Sequence, residues 1–167
     1  MSFNENKVFL GKSTIAFGDY IISYTEGGVE IAQENDIYRV PDIDQISGDA
    51  IVFRSGKFII KTTLPEQTLT LLGLAWGIIE KPVTVQGTVE TEEILTLKLG
   101  KNLPTNKLTI YTERINGKKV TIVFDIARVI PSGSLGWSKK SHGKPPITFE
   151  TTGDDSDIHG KVVEVVS

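Results

Sequence analysis

β-branched and aromatic residues alternating with polar ones dominate the chain, a period of two that marks half-buried strands. Thr14–Tyr24 (TIAFGDYIISY) is one such segment, with a bend expected at Gly18-Asp19. Gly27-Gly28 predicts a turn, and Val29–Gln33 returns from it. Ile37–Val40 is short and halted by Pro41. Ala50–Phe53 follows, then an expected Ser55-Gly56 turn and Lys57–Leu64. Further strands are predicted over Val83–Glu90, Ile94–Leu99, Leu108–Arg114, Lys119–Val129, Ile147–Thr152 and Lys161–Val166. Asn116-Gly117 is the strongest hairpin signal, because both residues tolerate the left-handed backbone of a two-residue turn.

One segment departs from this period. In Pro65–Trp76 (PEQTLTLLGLAW), Leu69, Leu72 and Trp76 fall on one helical face, and Pro65 stands at a tolerated helix start. Glu66 suits the positive end of the helix dipole, and Gly77 is a plausible stop. One short helix (about 65–76) amid some ten strands, with no βαβ alternation, predicts a mainly β fold. The expected form is two packed antiparallel sheets, a β-sandwich or barrel, with the helix against them. The chain of 167 residues reads as a single domain, 1–167. It carries an extended arm at about 41–49 (PDIDQISGD) and a long loop at about 131–146 (PSGSLGWSKKSHGKPP). Loops of that length in a small domain are usually functional or disordered.

Charge changes this picture little but excludes classes of function. With 18 basic and 21 acidic residues the net charge is −3. That argues against nonspecific duplex binding, which neutralises phosphates with Lys and Arg. The absence of cysteine removes disulfides, thiol catalysis and cysteine-ligated zinc. The polar start MSFNENK has no hydrophobic signal core, and the longest apolar run, Leu71–Ile79, is far below the ~20 residues of a membrane span. The expectation is a soluble protein made in a reducing cytoplasm, with no membrane partner.

The candidate chemistry is concentrated in Gly153–Gly160 (GDDSDIHG). With Asp155 as the first position of a calcium loop, Asp157 is third and Gly160 sixth. The fifth position is His159, a nitrogen ligand ill suited to a hard cation, and the twelfth is Val166 rather than Glu. The flanks read as strands, so the stretch is expected to be a solvated turn. Leu10–Thr14 (LGKST) mimics the end of a phosphate-binding loop, but Asn6 occupies the required earlier glycine position. Ser132–Gly136 resembles a nucleophile elbow without its first glycine. His142 and His159, the only histidines, are expected in solvated loops. The basic run Lys139–Lys144, preceded by Trp137, suits phosphates or bases, but more often such a run is a solvated face or a protein contact. No nucleophile, base and orienting group assemble, so no catalytic residue, metal site or cofactor is expected, and the chain does not read as an enzyme.

Taken in order, the chain resembles the tail tube (major tail) proteins of long-tailed bacteriophages. The features are the early strand with Gly18-Asp19 and Tyr24–Val29, the arm through Asp42-Ile43-Asp44-Gln45, and Lys57–Leu64 leading into the leucine-rich helix. Val120–Val129, a loop, and Ile147–Asp155 close the chain. The resemblance implies homohexameric rings stacked as a tube, with tape measure and terminator proteins as further partners. It implies a virion location, assembly in the host cytoplasm, and DNA passing through the lumen without specific binding. A mildly acidic chain is compatible with a bore that repels phosphates. Candidate lining residues are Glu90, Glu92, Glu93, Asp125 and Glu150; candidate interface residues are Asp42, Ile43, Asp44, Gln45, Ile46, Trp137, Lys139 and Lys140. Two alternatives stand beside this: another tail or contractile-particle component, such as a terminator or a type VI secretion-like tube, and a monomeric carbohydrate-binding β-sandwich.

Overall fold

The computed structural model describes residues 9–23, 25, 28–40, 50–65, 68–78, 80–87, 90–97, 103, 105–114, 116–131, 145–153 and 158–165. The early alternating segment forms β1 (Phe9–Phe17) and β2 (Tyr20–Ile22), joined at the expected Gly18-Asp19 bend. Next come β3 (Glu30–Val40), β4 (Ala50–Thr63), the helix α1 (Leu69–Ala75), and the short β5 (Val83–Gln86) and β6 (Thr91–Ile94). The chain continues through β7 (Thr105–Arg114), β8 (Lys119–Ile130), β9 (Pro146–Thr151) and β10 (Gly160–Glu164). Asn116-Gly117 turns β7 into β8: the Arg114 N–H donates to the Lys118 carbonyl, and the Asn116 side chain accepts from the Lys118 N–H.

The fold is mainly β with one short helix, and every strand pair is antiparallel. An eight-stranded sheet runs in the order β2-β1-β7-β8-β9-β4-β3, with β10 also paired to β8, while β5 and β6 make a separate two-stranded sheet. The large sheet folds over on itself. Phe17 of β1 and Phe149 of β9 are separated by two intervening strands, β7 and β8, yet their rings stand 5.1 Å apart. Ile15, Ile22, Ile60, Leu108, Ile110 and Ile147 fill the same interior. Burying such a set is the main favourable term in folding a chain of this size.

A bulge in β8 makes the fold possible. Phe124 pairs with Leu108 and Ala127 with Asn106, so three residues of β8 span two of β7. Phe124 and Ala127 therefore both face the core, and Asp125 and Ile126 are the extra, exposed step. A bulge bends its strand and strengthens the local twist. At the same point the other edge of β8 changes partner, from β10 over Val120–Phe124 to β9 over Ala127–Ile130.

Two sequence expectations need correction. Ser55-Gly56 is not a turn: Ser55 pairs with Asp36 and Gly56 with Asn35 inside one continuous β4. The register shifts between Asp36 and Ile37, and a strand glycine often marks such a bulge. The helix begins later than Pro65. Thr68 is its N-cap, with its hydroxyl accepting from the Leu71 N–H at 3.3 Å. The end falls as expected: Gly77 N–H donates to the Leu74 carbonyl and Ile78 N–H to the Gly73 carbonyl, the Schellman closure. The core face is Leu71, Leu74 and Ala75, set against β8 and β9. Leu72 is buried outside that cluster, and Leu69 and Trp76 are only half-buried. Leucines at 69, 71, 72 and 74 offer two helical faces of similar hydrophobicity, and the large Trp76 favoured the wrong one.

Candidate functional site

The most conspicuous feature is an arm. β4 is a 14-residue strand, yet it pairs with β9 only over Ile59–Thr63. From Phe58 back to Ala50 its only strand partner among the described residues is β3, over Gln33–Val40. Eight steps from Ala32, opposite Ile59, to Val40, at about 3.3 Å per residue, give a two-stranded ribbon reaching about 26 Å beyond the last β9 pair. Gln33, Glu34, Asn35, Asp36 and Ser55 along it are exposed. The sequence suggested an arm only at 41–49; the ribbon that carries it is longer, because the polar run Glu34-Asn35-Asp36 hid the continuity of β3. Asp42, Ile43, Asp44, Gln45, Ile46, Trp137, Lys139 and Lys140 themselves lie outside the described residues.

Where the arm leaves the body, its backbone is tied down. The Phe58 N–H donates to Thr151 Oγ1 at 3.0 Å, and that hydroxyl lies 2.8 Å from His159 Nδ1. The Phe58 ring meets His159 edge-on and Phe124 at a tilt, each at 5.6 Å. His159 is therefore not a solvated loop histidine. It is half-buried, immediately before the last described strand, β10. Asp154, Asp155 and Asp157 lie outside the described residues, as does His142. Among the described residues no three His, Asp or Glu side chains gather as a metal site.

An ion-pair network covers the outer face beside the arm root. Glu150 on β9 receives Lys57 at 2.9 Å and Arg128 at 2.6 Å, and Lys57 also lies 3.6 Å from Glu34. Burial pushes the Glu150 carboxyl up, but the hydrogen bonds from Arg128 and Lys57 outweigh it and hold the group below its ordinary value. The Lys57 ammonium is raised, chiefly by its hydrogen bond to Glu150 and against the opposing effect of burial. Two cations and two carboxylates sum to zero, so Glu150 offers no net negative charge to a bore. Asp125 is exposed at the β8 bulge. Glu90, Glu92 and Glu93 are exposed on or beside the β5–β6 hairpin, on a different sheet from Asp125 and Glu150. Nothing in the local sequence around Glu150 signals its cations, which arrive from β4 and β8.

A groove of about 430 Å³ runs across β1, β7 and β8, lined by Lys12, Thr14, Tyr111, Glu113, Lys119 and Thr121 among others. Register places Thr14, Tyr111, Thr121 and Val163 in one row across β1, β7, β8 and β10. No helix among the described residues is long and apolar enough to cross a membrane.

No protein-family model and no curated protein matches the sequence. Solved structures align with it at low identity. One is the anti-feeding prophage baseplate, with TM-score 0.47 and 7% identity over 90% of each chain. The Hcp1 protein of Flavobacterium johnsoniae gives TM-score 0.39 and 12% identity over 92% of this chain and 94% of that one. An extracellular contractile injection system sheath–tube complex gives TM-score 0.42 and 10% identity over 95% of this chain and 90% of that one.

Proposed function

We propose that the chain is a structural subunit of a tail-type particle, acting by self-association rather than catalysis. In this reading copies close into hexameric rings that stack as a tube, DNA passes through the bore, and the tape measure and terminator are neighbours in the virion. The resemblance read from the sequence supports the class. The observation that carries assembly is the β3–β4 arm, two strands that run on past the β9 pairing with no third described strand or helix paired to them. An isolated two-stranded ribbon is marginal in water, and its open edge is a template for pairing. Such a ribbon is stable where another copy covers it. Of the two lining candidates on the large sheet, Asp125, exposed at the bulge, is the one outside the Glu150 network.

Electron microscopy and sedimentation of the concentrated purified protein test this directly. Rings or tubes are expected from the full chain. Replacing residues 36–55 by a two-residue Asn-Gly turn shortens the arm and should leave a folded monomer. A full-length protein that stays monomeric at all concentrations overturns the assembly reading, and rings from the shortened chain overturn the role of the arm.

A further inference from the structure

Resting on the proposed self-association, we propose that neighbouring copies join head to tail, the β5–β6 hairpin of one seated on the β1–β7–β8–β10 face of the next. The hairpin is the second unsupported element of the fold. Among the described residues its strands pair only with each other, and every residue of both is exposed. Register sets Val83 opposite Ile94 and Val85 opposite Glu92, so one face carries three apolar side chains and a carboxylate. Residues 83–94 (VTVQGTVETEEI) contain Glu90, Glu92 and Glu93 and no Lys or Arg. An apolar, wholly acidic hairpin left in water is a surface waiting for an apolar, basic one.

The β1–β7–β8–β10 face has that character. Tyr111 and Val163 are exposed large side chains in its central row, 51% and 47% accessible. Lys12 and Lys119 line the groove there, and Lys161, two residues before Val163 on β10, shares the face. Glu113, opposite Lys119 in register, is the acid among the groove residues. The hairpin makes no extensive contact with β1, β7, β8 or β10 of its own chain, which leaves a second copy as the occupant that supplies matching charge. Two different patches of one subunit meet in this contact. It is heterologous, the kind that generates rings where the rotation closes and filaments where it does not.

The chain has no cysteine, so single introduced thiols report the contact cleanly. Glu92→Cys and Lys119→Cys proteins, mixed and treated with an oxidant, should cross-link into dimers, and neither protein alone should do so. Separately, Glu92→Lys with Glu93→Lys, or Lys119→Glu with Lys161→Glu, should weaken association about tenfold or more, because like charges then face each other. Mixing the two reversed proteins should restore mixed assemblies. If the wild type assembles while both reversed proteins assemble as well as it does, or the mixed thiols do not cross-link, this docking is wrong and the assembly reading stands. A wild type that never associates overturns both.

Discussion

Gly160→Ala isolates the close approach that seats the last described strand. A Cβ built at Gly160 would run into the Val123 carbonyl oxygen and lie 2.9 Å from Phe124 Cα, both backbone atoms of β8. Ordinary contacts there need more than 3.4 Å, and backbone inside an eight-stranded sheet has no rotamer by which to retreat. β10 must therefore move away from β8 by something on the order of an ångström. Forcing extra volume into a packed site costs about 1–3 kcal/mol, sometimes more. In a domain of this length each kilocalorie shifts the melting temperature by about 2–4 °C, so a drop of roughly 2–12 °C is expected. Local opening of β10 is the other way in which the cost is expressed. Two readouts cover both cases: thermal unfolding by circular dichroism, and amide hydrogen exchange along Lys161–Glu164. Gly117→Ala is the control, since open space surrounds that position and only its positive φ of 79° resists substitution. It should cost about 1–2 kcal/mol with β10 protection unchanged. A Gly160→Ala protein with wild-type melting and wild-type exchange on β10 would refute the β8–β10 pairing itself.

Leu74→Ala, at a fully buried core position, should cost about 2–5 kcal/mol in denaturant unfolding, whereas Leu69→Ala at the half-buried edge should cost less than about 1; equal losses would mean the helix presents another face. Glu150→Gln should destabilise by on the order of 1 kcal/mol at neutral pH, a small figure because Lys57 and Arg128 are partly exposed and screened. The depressed Glu150 carboxyl contributes stability above its ordinary value, and that contribution is lost as pH falls through the lower folded value. The raised Lys57 contributes below its ordinary value and is lost as pH rises through the higher one, so both flanks of the pH–stability curve should flatten in the variant. Thr151→Val removes the acceptor of the Phe58 N–H and should raise protease cleavage and amide exchange at the arm root without unfolding the sheet; unchanged exchange at Phe58 would show that the root is held by strand pairing alone.

What local sequence determined is what local physics governs. Period-two alternation marked most of the strands, Asn116-Gly117 turned β7 into β8, and Gly77 ended the helix, because each depends on backbone preferences within a few residues. Pro65 misled because a tolerated helix start is weaker evidence than a side chain that caps one, and Thr68 does the capping. Tertiary structure alone decided the rest. Only packing chose between Leu72 and Leu74, since both lie on apolar faces of the same helix. Only sheet order brought Lys57 and Arg128 to Glu150 and turned a candidate bore residue into a neutralised one. His159 left solvent because Phe58, a hundred residues earlier, comes to rest against it. The arm and the acidic hairpin are legible as strands, but that no other described strand pairs with them is a property of strand order, which short-range periodicity does not encode.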